Sequence, residues 1–427
     1  MLNWREFFTD PFLRNLIDTA LKNNQELNIV NEEINILRNE TLLAKGQYLP
    51  FVGLHAGSGL EKSARYTRHG ALEANTPITP GKKFPEPLPD FFIAANASWE
   101  IDIWNKLRNS KKSAVNKYLA SVEGKKFLVT NLVSEIANAY YELMALDRQL
   151  VILDQNIAIQ QNALQIVKLE KESAKVTELA VKKFEAELLK NQSSRNFLLQ
   201  QITETENTLN FLTARYPQKV ERNIQSINDV IPTIVQQGVP SQLLSNRADI
   251  MRAEKELAAA KLDVKVAKAG FYPSLVANAA LGYQAYNAAF LLQSPVSVLY
   301  TLAGDMVAPL INRKAIKANY YSAGSKQIQA VHNYERTVLK AYIEVANQLS
   351  NITNISNSYD LKAGQVEALT ASIEISTGLF KSARADYMEV LMTQRDALEA
   401  KFELVETKML RMKAQVALYK ALGGGWR

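Results

Sequence analysis

The chain contains no cysteine, which removes disulfides, thiol nucleophiles and thiolate metal sites from consideration. Its three histidines, His55, His69 and His332, are too scattered for a His-rich zinc site and read as surface residues. The eight methionines show no paired spacing, so a soft-metal site has no support either. No nucleophile–histidine–acid set and no phosphate loop is present; neither an enzyme nor a cofactor is expected. Net charge is only +7 over 427 residues, with Lys and Arg mixed among Glu and Asp along helical stretches. A nucleic-acid binder concentrates its cations on one stripe, so nucleic acid is not an expected partner. The opening residues, MLNWREFFTDPF, carry no basic-then-apolar leader, as in a cytosolic chain or in one seen after processing. A hydrophobic fraction of 47% still requires a folded protein.

Proline is missing from two long stretches. All thirteen fall at Pro11, from Pro50 to Pro89, or from Pro217 to Pro309. Proline breaks helix interiors, so the two gaps are where long helices can run. Both carry a heptad seam. Val181, Phe184, Leu188, Leu198, Ile202, Leu209 and Leu212 share one register, and Leu398, Phe402, Val405, Met409, Met412, Val416 and Tyr419 alternate spacings of four and three. Such seams pack as coiled coils. A helix of about 60 residues reaches about 90 Å, far beyond the needs of a compact domain.

The chain also repeats itself. NNQELNIVNEEINILRNETLLAKGQYLPFVG, from Asn23, aligns without gaps to NRADIMRAEKELAAAKLDVKVAKAGFYPSLV, from Asn246, so that Pro50 meets Pro273. ANAYYEL from Ala137 matches LKAYIEV from Leu339. Each half reads helix, proline, two strands and a long helical pair, a tandem duplication of one large motif and not a solenoid of short units.

The strands alternate. In FFIAANASWEIDIWNKLR, Phe91, Ile93, Ala95, Ala97, Trp99, Ile101 and Ile103 are apolar, and Asn96, Ser98, Glu100 and Asp102 interleave them. After Pro273, Leu275, Ala277, Ala279, Leu281 and Tyr283 alternate with polar residues; Val296, Val298, Tyr300, Leu302 and Met306 do the same. From Ala269 to Gly304 no side chain ionises apart from tyrosines, yet Pro273, Pro295, Asn278 and Gln284 argue against a membrane helix. Two readings share this alternation. One is a soluble sheet with a single face on a core; the other is a membrane barrel with apolar residues outward and polar residues inward. Strand length, four strands that cannot close alone, and helices without a sheet-covering face favour the barrel. Phe91, Phe92, Trp99, Trp104, Tyr283 and Tyr300 are candidates for its interface girdles, and the Pro-rich charged segment at about 61–90 for an external loop.

Four segments carry a resemblance: NWREFFTDPFLRNLIDTALKNNQEL, SWEIDIWNKLR, GVPSQLLSNRADIMRAEKEL and FKSARADYMEVLMTQRDAL. In this order around a duplicated motif, the chain resembles the outer-membrane efflux protein family, the TolC-like outer-membrane factors, most closely the branch serving resistance–nodulation–division exporters. Ala248 departs from the family's usual proline, and Glu172 and Ala383 from its usual glycines at the helix turns. The resemblance implies a mixed fold: a long antiparallel α-helical coiled-coil barrel continuous with a transmembrane β-barrel, four strands per chain and twelve in a homotrimer. The implied organisation is an N-terminal segment (1–49), a first β-hairpin (50–104), a first long helical pair (105–212), an equatorial segment (213–245), a repeat-two helix (246–272), a second β-hairpin (273–310), a second long helical pair (311–422) and a tail (423–427), with GGGWR read as frayed. Pro50 and Pro273 mark the turns from helix to strand. Phe91, Trp99, Tyr283 and Tyr300 face lipid, whereas Glu100 and Asp102 face a water-filled lumen.

The implied activity is passive exit of small molecules across the periplasm and outer membrane of a Gram-negative bacterium, with a periplasmic adaptor and an inner-membrane pump as partners. Many relatives carry a lipidated cysteine ahead of the aligned start; none is present here. The resemblance places a periplasmic constriction at SARADYMEVL, with Glu389 in an acidic ring, Met392 one turn on, Asp386 beside them and Arg384 next to the position of a gate-tethering arginine. From the residues alone, Asp386 and Glu389 can equally solvate a helix start and favour its dipole. The first-copy tip, KESAKVTEL, contributes Lys175 and Glu178; Tyr140 and Tyr141 read as helix packing. Two other functions remain open: a duct for protein secretion with an ABC exporter, and a soluble coiled-coil scaffold with a small sheet.

Overall fold

The computed structural model describes residues 3–222, 244–311, 313–382 and 384–426. Helices α1 (Trp4–Phe7), α2 (Pro11–Asn23) and α3 (Gln25–Tyr48) lead into strand β1 (Phe51–Glu61). A small helix, α4 (Arg68–Asn75), and the two-stranded ribbon of β2 (Pro77–Thr79) and β3 (Lys82–Lys83) fill the connection to β4 (Leu88–Ile101). The segment expected to be only an exposed loop therefore has structure of its own. Then come α5 (Lys106–Glu172) and α6 (Glu178–Leu212), followed by α7 (Ala248–Ala269), β5 (Ser274–Ala285), β6 (Val298–Val307), α8 (Lys314–Lys381) and α9 (Tyr387–Ala421).

The order helix, strand, strand, long helix, shorter helix occurs twice. The long helices have 67 and 68 residues, and the shorter ones 35 each. Pro50 lies between α3 and β1, and Pro273 between α7 and β5, each where a helix gives way to a strand. The ANAYYEL match is out of step with the helices themselves: pairing Lys106 with Lys314 and Glu172 with Lys381 sets Ala137 against Val345 or Ala346, not Leu339. A slip of about one heptad is what a self-similar coiled-coil pattern invites.

The chain divides into two compact units. The first comprises Met1–Ile34, Ala120–Glu254 and Asn333–Arg427. Its entry helix α2 starts at Asp10, whose carboxylate accepts from the Phe12 amide at 2.8 Å and from the Tyr140 hydroxyl, also at 2.8 Å. Pro11 occupies the first helical turn, where its missing N–H costs nothing. Leu13, Leu16, Ile17 and Ala20 then fall on one buried stripe. They join Phe7, Phe8, Ile136, Tyr140, Tyr141, Leu143 and Met144 in one core. Phe7 stacks on Tyr419 with ring centroids 4.1 Å apart, and burial pushes the Tyr419 hydroxyl pKa up to about 12. Both heptad seams point inward: Leu198, Ile202, Leu209, Met412, Val416 and Tyr419 are buried, and Leu398, Phe402, Val405 and Met409 pack against the same core. Each such side chain contributes roughly 1.5–3 kcal/mol by leaving water.

Two arginines tie down this unit's irregular segments. Arg222 donates to Asp147 at 2.5 and 3.0 Å and also to Glu206. Burial pulls its pKa down, but the hydrogen bonds to the two carboxylates more than offset this, and the net shift is upward. Arg247 reaches Asp249, Glu344 and the Ala421 carbonyl at the end of α9. Of the expected equatorial segment 213–245, residues 223–243 lie outside the described residues, as does Ala383. The tail is not frayed. Gly423 and Gly425 take φ of +87° and +106°, a left-handed backbone that glycine adopts without strain. The chain thereby turns back onto the unit: a Cβ on Gly423 would lie 2.6 Å from the Asn246 carbonyl oxygen. The Lys126 ammonium sits 4.5 Å from the Trp426 ring centroid.

The second unit, Asn35–Leu119 with Lys255–His332, holds a four-stranded sheet of order β1-β4-β5-β6, every pair antiparallel. Among the described residues, no helix of the chain is long and apolar enough to cross a membrane.

Candidate functional site: the two faces of the sheet and the helical tip

The strand registers decide what each face of the sheet is made of. Val52 pairs with Ala97, Leu54 with Ala95, Ala95 with Leu281, Trp99 with Ala277, Leu281 with Tyr300 and Ala279 with Leu302. Side chains alternate across a pleated strand, so these apolar sets merge into one face across all four strands, interrupted only by Ser58. Phe91, Trp99, Tyr283 and Tyr300 all lie on it. The opposite face is mixed: it carries His55, Asp90, Asn96, Ser98, Glu100, Asn278, Gln284, Thr301 and Asp305, with glycines on β1, and also the apolar Phe51, Phe92, Val276 and Leu299. Gln284 donates to both Asp90 oxygens at 2.9 and 3.0 Å, and Asn278 to Asp305 at 3.3 Å.

Among the described residues, nothing in the chain covers either face. Ala94 is the only buried side chain in the four strands. Leu54, Leu281, Tyr300, Leu302 and Met306 are 63–84% exposed. Among the described residues, the outer edges of β1 and β6 have no strand partner. A solitary sheet with bare apolar side chains and two open edges is a structure awaiting other surfaces.

Tryptophans fasten the two helix-to-strand turns. Trp99 donates its indole N–H to the Tyr48 carbonyl at 3.1 Å, and Trp104 donates to Pro273 at 2.7 Å. These carbonyls stand at the two prolyl turns, where helical partners run out. Trp99 remains 38% exposed and lies under no helix core.

One expected lumen residue is elsewhere. Asp102 is buried, and its two oxygens accept from the Leu107 and Arg108 amides at 3.0 and 2.9 Å. It caps the start of α5, and Arg108 lies 3.6 Å away. The strand ends at Ile101, so the alternation that groups Asp102 with Glu100 no longer applies to it. Glu100 stays on the polar face, half-buried, with its carboxylate 2.9 Å from Lys106.

Within the first unit, the start of α9 packs against the α5–α6 hairpin. Tyr387 and Leu391 join Leu164, Val167, Val181 and Phe184 in a small core. Asp386, Glu389 and Met392, three residues apart, occupy the outward side and are exposed. Asp386 sits at the N-cap of α9 without making a side-chain cap. Its carboxylate is thus not spent on its own helix. Among the described residues, Asp386, Glu389 and Arg384 form no ion pair. Arg384 is exposed, its amide held by the Leu379 carbonyl at 2.9 Å.

In the first-copy tip, Glu178 pairs with Lys171 and not with Lys175. The Lys171 hydrogen bond holds the Glu178 carboxyl below the usual carboxylate range. The left-handed residue of this turn is Ala174, at φ +56°, two positions beyond Glu172. Tyr140 and Tyr141 are packing residues, both fully buried. Burial and the Asp10 charge push the Tyr141 hydroxyl well above its ordinary value. The three histidines are exposed, and the described residues contain no cluster of His, Asp and Glu able to hold a metal.

The whole arrangement has relatives. The chain is 28% identical over 424 residues to the pyoverdine export outer membrane protein OpmQ of Pseudomonas putida, covering 99% of this chain and 88% of that protein. It is 26% identical over 426 residues to the cation efflux system protein CusC of Escherichia coli, again covering 99% and 88%. A crystal structure of a membrane protein from Pseudomonas aeruginosa superposes with a TM-score of 0.91 over 99% of this chain and 94% of that one, at 21% identity, which establishes the shared fold. Residues 16–215 and 239–424 match the family described as outer membrane efflux protein. The chain belongs to that family, and its place is the outer membrane of a Gram-negative bacterium.

Proposed function

We propose that this chain is one third of a passive exit duct, the outer-membrane member of a tripartite efflux pump. The observation that carries this reading is the sheet whose apolar face, polar face and edges are all left uncovered by the chain itself. Three copies, each adding β1, β4, β5 and β6, would join edge to edge into a closed twelve-stranded barrel, the one arrangement that leaves no backbone donor bare in a membrane. Phe91 and Trp99 lie eight residues apart on β4, about 26 Å of extended strand. That is close to the roughly 25 Å apolar band of outer-membrane barrels, with aromatics at both margins.

Glu100, Asp90 and Asp305 would then line water, and the paired helices of the two repeats would continue the passage across the periplasm. Equal helix lengths in the two halves support an origin by tandem duplication. An adaptor and an inner-membrane pump of the resistance–nodulation–division type would supply cargo and energy. A duct with so few specific groups leaves cargo choice to the pump, which fits relatives named for pyoverdine export and for cation efflux. No step of this function needs a reacting residue, so the protein is read as a non-enzyme.

The tip is read as the gate. Exposed Asp386 and Glu389 from three copies would converge on the threefold axis, repel one another and attract cations, with Met392 narrowing the passage one turn on. Arg384, on the same turn, would be the residue to tether them. In planar bilayers, Glu389→Ala is expected to raise single-channel conductance or lower cation selectivity; both unchanged would remove Glu389 from the gate. Co-expression with a resistance–nodulation–division pump and its adaptor is expected to restore drug resistance to a channel-less strain. Protein release with an ABC exporter, and no drug resistance, would overturn the efflux reading.

A further inference from the structure

The helical segments adjoining the sheet in the second unit carry a charge that the mild total conceals. Residues 106–119 contain five cations (Lys106, Arg108, Lys111, Lys112 and Lys117) and no carboxylate. Residues 313–332 contain four cations and again no carboxylate, and 255–269 contain four lysines against two acids. These stretches alone exceed the chain's entire net charge of +7.

Four of these cations line one open groove. Arg108 and Lys112 on α5 line it from one side, Lys265 and Lys268 on α7 from the other, and Trp104 and Tyr272 close its sheet end. The two rings stack with centroids 4.7 Å apart and planes 24° from parallel. Among the described residues, no acidic side chain lines the groove. Among the described residues, Lys112, Lys265 and Lys268 form no ion pair and are exposed, whereas the nearby Lys117 is already neutralised by Asp263 at 2.9 Å. Arg108 lies over the Tyr48 ring, 5.7 Å from its centroid. The Tyr48 carbonyl in turn receives Trp99, a residue of the apolar face.

We propose that this groove seats the anionic headgroup of a phospholipid in the periplasmic leaflet of the outer membrane. The inference rests on the duct reading, which sets the apolar face in lipid and so brings its helix-side margin to the headgroups. Stacked Trp and Tyr beside unpaired lysines is the chemistry of that boundary: amphipathic rings rest at headgroup depth, and ammonium groups meet phosphates. A wall of the aqueous passage would need the cations but not the aromatic pair.

The test uses the full chain purified in detergent containing equal amounts of phosphatidylglycerol and phosphatidylcholine, with retained lipid counted by native mass spectrometry. Phosphatidylglycerol is expected to be retained over phosphatidylcholine by about five-fold or more. The triple variant Lys112→Gln, Lys265→Gln, Lys268→Gln should bring that ratio close to unity, and the corresponding Lys→Arg triple should keep it. An unchanged ratio in the glutamine triple overturns the proposal. So does displacement of the lipid by inorganic phosphate as readily as by phosphatidylglycerol, which would mean a general anion site. The same proteins are followed in planar bilayers. A shift in ion selectivity with an unchanged lipid ratio would put the lysines in the passage and overturn the proposal. Wild-type protein that never conducts sinks the duct reading instead, whatever its lipid ratio.

Discussion

The two units of this chain treat the same kind of side chain in opposite ways. In the helical unit Phe7, Phe8, Leu13, Ile17 and Leu209 are sealed to 1% exposure or less. In the sheet unit Leu54, Tyr300 and Leu302 stand more than 70% exposed. Sequence hydrophobicity alone does not separate these regions; periodicity does. The helical unit spaces its apolar residues by threes and fours, so its own helices bury one stripe of them while others, such as Phe197 and Leu361, stay exposed. The sheet unit spaces them by two on strands whose registers put most of them on one side, and among the described residues no element lies over that side. The difference teaches that the first region holds a sealed core of its own, even though Phe197, Phe211 and Leu361 stay 71–79% exposed there, whereas the sheet buries little of its apolar surface within the chain.

That contrast can be broken in steps. Phe7→Ala removes a ring stacked on Tyr419 in a closed core and is expected to cost about 3–5 kcal/mol, seen as an early thermal melt of helical circular dichroism. A cost near zero would mean the helical core is not sealed as described. Leu302→Arg should cost about 2–4 kcal/mol when the protein is folded into lipid vesicles. Thr301→Arg, one residue away on the polar face, should cost far less, and equal costs would erase the distinction between the faces. Asp102→Ala should cost about 1 kcal/mol through loss of the α5 cap, with Asp102→Asn recovering only part of it because its amide offers one acceptor to two backbone N–H groups, and ion selectivity unmoved by either. A selectivity change in Asp102→Ala would return that carboxylate to the passage.

The smallest effect is pH-dependent. The Glu178 carboxyl is held below its ordinary value of 4.5 by the Lys171 hydrogen bond. A depressed folded-state pKa contributes stability that is present above the unfolded value and lost as pH falls through the folded one. Amide protection around the α5–α6 turn, taken relative to intrinsic exchange at each pH, should therefore fall below about pH 4.5, with no comparable change between pH 6 and 8. Because the pair is exposed, high salt should blunt the effect.

Much of this architecture was legible in the residues. The proline-free gaps, the Leu398-to-Tyr419 seam and the turns at Pro50 and Pro273 each rest on a local rule that tertiary context did not override. The sheet faces were legible too, because a period of two survives in any register that pairs like with like. What escaped were features fixed by one terminus or one distant contact. Asp102 continues the parity of Glu100 on paper, but the strand stops at Ile101; the signal available was the basic helical run from Lys106, which needs a cap. GGGWR looked like a loose end because glycine weakens regular structure, yet its freedom at positive φ is what folds the tail onto Thr130 and Asn246. The Trp104 bond to Pro273 spans 169 residues, beyond the reach of any local pattern. The gate residues rest on family resemblance, and the structure contributes their shared exposed side. A soluble scaffold, open on sequence grounds, is set aside by membership of an outer-membrane family.

The central claim is that sister subunits and lipid cover what the second unit leaves bare. Oligomeric mass in detergent, measured on the same preparation that is tested for bilayer conductance, addresses it most directly. The account predicts a trimer that inserts and conducts. A detergent-free soluble monomer with no conductance would contradict it.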